Sequence, residues 1–145
     1  MLHPYTELRF IDHKIGYGVV AIRLLPRGTI TWVRDDLDQV FSAIQVKDMT
    51  PIYRDLITKY AFVDARGDFV LCWDLARYLN HACEPSCMTT GYEFDLAVRD
   101  IQPGEELTAD YASLNLEYDF TCACGSAKCR KLLRRGDFLR YVDSW

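Results

Sequence analysis

The chain has 145 residues, of which 50% are apolar, 13% aromatic and 26% charged. That balance excludes a disordered segment, a fibrous repeat and a chain built for the membrane, and the length suits one domain of modest core. Twenty-one acidic against seventeen basic residues give a net charge of −4, so there is no broad positive field to attract a phosphate backbone, and nucleic acid is not an expected partner.

The opening residues lack the basic region and apolar stretch of a secretory signal. No apolar run approaches the roughly 20 residues that cross a bilayer, since Arg23 interrupts the longest. The expected setting is therefore intracellular, nuclear if the source is eukaryotic, and not secreted. Gly16-x-Gly18 leads into an apolar run, Gly18 to Leu25, closed by Pro26-Arg27-Gly28. Thr29 to Val33 follows as a second short strand. Thr50 before Pro51 reads as a cap with proline at the first helical position, and Ile52, Leu56 and Tyr60 then share one face. Phe69 to Trp73 reads as a strand and Asp74 to Leu79 as a brief helix capped by Asp74. Phe94 to Val98 and, after Pro103-Gly104, Glu106 to Ala109 complete a mostly β domain with few short helices.

After Tyr111 the texture changes. Ala112 to Thr121 is a polar connection leading to a cysteine cluster and a basic end, Arg130, Lys131, Arg134, Arg135 and Arg140. Two readings of that basic run stay open, a solvated helix face and a contact with an anion or partner. The tail has too few apolar residues to hold itself together, so it docks on the core or is tied by a ligand. Cys122, Cys124 and Cys129 form C-x-C-x4-C, with Gly125 where a chain bending around a metal benefits from a missing side chain. Three thiolates leave a tetrahedral zinc one ligand short. The candidates for the fourth are Cys72, Cys83, Cys87 and the three histidines, and Cys83 is preferred, because Cys72 sits in an apolar strand pattern. A disulfide reading is weak in a chain that is not exported.

Three further segments fall into one pattern with the cysteines. Arg77-Tyr78-Leu79-Asn80-His81-Ala82-Cys83-Glu84-Pro85-Ser86 resembles the R-F-x-N-H-S-C-x-P-N signature of SET-domain protein lysine methyltransferases. Gly104-Glu105-Glu106-Leu107-Thr108-Ala109-Asp110-Tyr111 resembles their G-E-E-L-T-[FY]-D-Y, and Gly16-Tyr17-Gly18-Val19 with Pro26-Arg27-Gly28 resembles the opening G-x-G-V and K-G elements. The tail C-x-C-G-x3-C-R is similar to the family's post-SET zinc module. Order and spacing match over about residues 10 to 135.

The resemblance implies a SET-domain β-clip of small curled sheets with a C-terminal pseudoknot, a departure from unthreaded topology. Its core would span residues 1–111 and its C-terminal segment residues 112–145, with the zinc motif at 122–135. It further implies S-adenosylmethionine as cofactor, one structural zinc on Cys83, Cys122, Cys124 and Cys129, and a protein or peptide lysine as substrate. Gly16, Tyr17 and Gly18 would approach the cofactor from one side, Asn80 and His81 from the other, and Tyr60 would line its cleft. Tyr111 would orient the amine, with the side chain of His81 structural.

Methyl transfer needs a neutral amine, and neutralising a free lysine of pKa near 10.4 at pH 7 costs about 4 to 5 kcal/mol. A narrow dry channel facing a positive sulfur lowers that cost, and alignment supplies much of the rest. Ala109 stands where the family has Phe or Tyr, so the channel gains space, and multiple methylation is expected. Trp32, where a family Y-x-G-E is absent, is either a substitute aromatic wall of the channel or a core residue. Ala82 and Ser86 replace a serine and an asparagine of the signature. A catalytically silent SET fold that grips a peptide or partner is the alternative function. A reading of the cysteines as redox centres leaves the Gly104 to Tyr111 segment unexplained.

Overall fold

The computed structural model describes residues 1–114 and 119–144, so the expected connection from 112 to 121 lies partly outside the described residues. Twelve short strands run among the described residues: β1 (Thr6–Asp12), β2 (Gly16–Ala21), β3 (Ile30–Val33), β4 (Gln39–Phe41), β5 (Phe62–Val63), β6 (Phe69–Leu71), β7 (Asn80–His81), β8 (Cys87–Thr89), β9 (Phe94–Ala97), β10 (Thr108–Ala109), β11 (Phe120–Thr121) and β12 (Leu132–Leu133). Two α-helices, α1 (Ala43–Asp48) and α2 (Pro51–Tyr60), lie between β4 and β5. The strands form separate small sheets, β1-β2, β3-β9-β8, β4-β6-β5, β7-β10 and β11-β12. All pairings are antiparallel except β7 with β10. Among the described residues, no helix is long and apolar enough to cross a membrane.

Element ends differ from expectation by a few residues. The first apolar run enters its strand at Gly16 and leaves it at Ala21, after which Leu25 makes a single bridge to Ile101. β1 pairs with β2 along its length, yet its residues are half-buried or exposed, and only the short Glu7-Leu8-Arg9-Phe10 alternation marks it in the sequence. Pro51 opens α2 as expected, while Thr50 gives no side-chain cap bond. The face expected from Ile52 and Leu56 points outward, at 74% and 44% exposure, and Ile57 is the residue that packs inside. Asp74 caps a single 3-10 turn, Leu75–Tyr78, by accepting the Ala76 N–H.

The main core gathers Val19, Ala21, Leu25, Ile101 and Leu107 with Cys72, confirming Cys72 as a small core residue. A separate cluster under the tail joins Cys83, Ala112, Cys122 and Leu133, with Tyr111 and Phe138 packed against it. The parallel β7-β10 pair does most to position chemistry. It sets Asn80 opposite Thr108 and His81 opposite Ala109, so two motifs distant in sequence become neighbours.

Candidate functional site

Two cavities meet at this pair. The first, of ≈ 460 Å³, has Gly16, Tyr17, Tyr60, Asn80, His81 and Tyr111 among its lining residues. The second, of ≈ 440 Å³, is lined by Ala109, Trp32, Phe62, Phe69 and Asp95, and it too includes Tyr60 and Tyr111. Tyr111 therefore belongs to the wall of both.

Tyr111 is placed by its backbone and its hydroxyl together. Asp110 caps the following turn by accepting the Ala112 N–H at 3.1 Å. The Tyr111 N–H donates to His81 Nδ1 at 3.2 Å, and the hydroxyl donates to the Leu79 carbonyl at 2.8 Å. Burial, aided by the charge of Glu106, pushes the Tyr111 hydroxyl up to about 12, so it is a neutral phenol at pH 7. Because Nδ1 of His81 accepts, its proton sits on Nε2, which lies 3.4 Å from Cys83 Sγ. Burial lowers the His81 pKa to about 4, which keeps the ring uncharged and fits a structural role.

Asn80 ties the glycine segment to the second motif. Its Nδ2 donates to the Tyr17 carbonyl at 3.0 Å and to Glu106 Oε1 at 2.7 Å. Gly18 lies behind this contact, outside the lining of either cavity. A Cβ there would stand 2.2 Å from Glu106 Oε1 and 2.9 Å from both Asn80 Nδ2 and Ile11 Cγ1. Gly18→Ala is accordingly expected to split the Asn80–Glu106 bond and destabilise the fold by about 1–3 kcal/mol, read as a lower melting midpoint. Gly16 is needed for another reason, its φ of 86°. Trp32 combines both readings, since it packs in the core at 6% exposure, edge-on to Phe62, and also lines the cavity beside Ala109.

The tail brings four sulfurs together. The Sγ atoms of Cys83, Cys122, Cys124 and Cys129 all lie within 4.8 Å of one another. Cys83 to Cys122 is 3.7 Å and Cys129 to Cys122 is 3.6 Å, close to the roughly 3.8 Å edge of a tetrahedron with 2.3 Å metal–sulfur bonds. All six cysteines are free thiols. Donors reach two of the sulfurs: the Arg130 N–H and Nε donate to Cys83 at 3.3 and 3.4 Å, and the Cys124 N–H donates to Cys122 at 3.4 Å, although burial pushes the Cys122 thiol up in the absence of a metal charge. The Lys131 N–H holds the Cys129 thiol below its ordinary range. These donors fit a zinc ion.

Of the two readings left open for the basic run, Arg130 does not fit the solvated face. Its side chain is 6% exposed and pairs through Nη2 with Asp110 Oδ1, which is 1% exposed. Arg134 keeps to the surface. Glu106, Asp110 and Arg130 were not picked out as site residues from the sequence, and each acts through a neighbour rather than through a pattern of its own.

Comparison with known proteins gives one family. Residues 16–112 match the SET domain. The histone-lysine N-methyltransferase Set2 of Drosophila melanogaster is 30% identical over 134 residues, 83% of this chain and 6% of that protein. The histone-lysine N-methyltransferase trr of the same fly is 33% identical over 128 residues, 80% of this chain and 5% of that protein. The chain thus spans a small fraction of the length of these curated relatives. Among solved structures, KRYPTONITE in complex with mCHG DNA and SAH is similar in fold, with a TM-score of 0.56 and 24% identity over 85% of this chain and 28% of that one.

Proposed function

The chain belongs to the SET-domain family, and on that premise we propose that it is an S-adenosylmethionine-dependent protein lysine N-methyltransferase. The observation that carries the reading is the sharing of Tyr111 between two cavities, one beside the Gly16-Tyr17 and Asn80-His81 segments and one beside Ala109. Two reactants entering from separate surfaces would meet at one neutral phenol.

S-adenosylmethionine, when bound, supplies an electrophilic methyl on a positive sulfur. Gly16, Tyr17, Tyr60, Asn80 and His81 are the residues that would hold it, and the neighbour solved with SAH supports the choice of cofactor. Residues 1–111 would then form the catalytic core and 112–145 the metal-bearing segment. The cavity beside Ala109 takes the lysine side chain. Burial among its aromatic side chains, together with the positive sulfur of the bound donor, would disfavour the ammonium form. The Tyr111 oxygen is fixed by its bond to the Leu79 carbonyl, so it can orient the amine without contributing charge. No side chain is needed as a charged base.

The names of the relatives make histones the first proteins to offer as substrate. Transfer of labelled methyl from S-adenosylmethionine to core histones or a lysine peptide array tests the reading. Binding of the cofactor without transfer to any lysine protein would instead identify a silent binding module. Ala109→Phe is expected to refill the lysine channel and change the product from higher to single methylation, with little loss in the first turnover. Mass spectrometry after exhaustive turnover reads the difference, and monomethyl product from the unsubstituted chain would overturn the channel-width argument.

A further inference from the structure

Within the basic tail, Arg130 is withdrawn from solvent while Lys131, Arg134, Arg135 and Arg140 are exposed. Its backbone N–H and its Nε both donate to Cys83 Sγ, and its Nη2 donates to Asp110 Oδ1. The guanidinium carbon lies 4.8 Å from the centroid of the Tyr141 ring, so the planar group is held by its edge and by its face together. Withdrawing a guanidinium from water is costly, and the pairing with Asp110 offsets that cost.

Asp110 is fixed in turn. Its side chain is 1% exposed, Oδ1 also accepts the Ala112 N–H at 3.1 Å, and its carbonyl accepts the Ser113 hydroxyl at 2.6 Å. These bonds set the 3-10 turn Tyr111–Ser113. His81 Nδ1 lies 3.7 Å from the same Oδ1, but burial keeps that ring uncharged, so Arg130 is the cation that faces Asp110 among the described residues. Without it Asp110 would be a lone buried carboxylate, driven to turn toward water. That movement weakens the cap, and Tyr111 stands between the two residues that the cap joins.

We infer that Arg130 is a positioning residue for methyl transfer, acting through Asp110 to fix the turn that aims the Tyr111 hydroxyl. The reaction it serves rests on the methyltransferase reading, whereas the ordering of Tyr111 does not. A lysine at this position carries the charge without the fork, so its single Nζ can serve Asp110 while the bond from Nε to Cys83 is lost. A methionine keeps the apolar stem alone.

The test compares Arg130→Met and Arg130→Lys with the unsubstituted protein, each as the full chain loaded with zinc. Transfer from S-adenosylmethionine to core histones gives kcat and KM, and amide hydrogen exchange by NMR follows the Tyr111 N–H without donor or substrate. Arg130→Met is expected to lower kcat about 10²-fold, as a displaced reacting group does. Arg130→Lys should recover about tenfold of that loss, the contribution of one charged hydrogen bond. KM and cofactor affinity should stay within a fewfold, and the Tyr111 N–H should exchange faster in both variants, most in Arg130→Met. Zinc should remain at about one per chain and residues 119–135 resistant to protease, because the backbone N–H of residue 130 still serves Cys83.

Full kcat with unchanged Tyr111 exchange overturns the inference, as do equal losses in the two variants, which would assign the effect to packing. Zinc lost in step with turnover also overturns it, since Arg130 would then hold the metal rather than the phenol. Where Arg130→Met fails to fold, Arg130→Lys decides alone: about a tenfold fall in kcat with faster Tyr111 exchange upholds the inference, and full kcat overturns it. An unsubstituted chain that transfers no methyl to histones or a lysine peptide array refutes the catalytic reading, and Tyr111 exchange then decides the positioning by itself. A chain that methylates histones, with variants that do so at the full rate, refutes only this inference.

Discussion

Tyr111→Phe is expected to lower methyl transfer about 10²–10³-fold while cofactor affinity stays within a fewfold of the unsubstituted chain. The substitution removes one oxygen and keeps the ring that packs beside His81 and Phe120. It also breaks the bond to the Leu79 carbonyl, worth about 1 kcal/mol to stability, which is too little to unfold a domain. The loss should therefore appear in kcat rather than in cofactor binding or in the melting midpoint. Single-turnover transfer at saturating substrate separates these, with calorimetry of cofactor binding run alongside. Undiminished turnover would remove Tyr111 from the reacting centre. Tighter pH control than usual is unnecessary, because a hydroxyl lifted to about 12 does not ionise in the assay range.

The parts of this site that the sequence exposed are those with a local signature. The Asn80-His81 and Asp110-Tyr111 segments announce themselves as contiguous strings, and β7 and β10 then place them side by side. The cysteine spacing is local as well, and Cys83 joins it because the second motif delivers a thiol to the tail. What stayed hidden depends on tertiary contact. Arg130 looks like one member of a basic run, and only the fold reveals that it is buried against Asp110. Asp95 sits in an apolar strand whose pattern gives no reason to expect a carboxylate facing a cavity. One helix has a local signature of its own: Ser42 and Gln45 form a reciprocal capping box that starts α1. The orientation of α2 was not legible, because Ile52, Leu56 and Ile57 are all apolar and the chain buries only the last.

Removing metal from the four-cysteine site is expected to release the whole C-terminal segment and to abolish methyl transfer. Apart from sulfur, the cluster beneath the tail buries only Ala112 and Leu133 fully, and complete burial of a leucine contributes about 1.5–3 kcal/mol. A structural zinc contributes about 10–16 kcal/mol in small zinc-binding peptides, so an ion held by the four cysteines would decide whether the segment docks. The consequence reaches the reacting centre by a short path. Arg130 holds Cys83 and Asp110 together, and His81 faces Cys83 with Nε2 while its Nδ1 takes the Tyr111 N–H. Loss of the sulfur cluster thus loosens the backbone that aims the phenol, even though no cysteine lines the cavity beside Ala109 except Cys72. Protein purified without chelator should contain about one zinc per chain. Chelation, or Cys83→Ser, should make residues 119–135 newly sensitive to protease and eliminate transfer together. Zinc restores both in the chelated protein but not in the variant. Metal-free protein that resists protease and transfers methyl at the full rate would show that packing alone holds the tail.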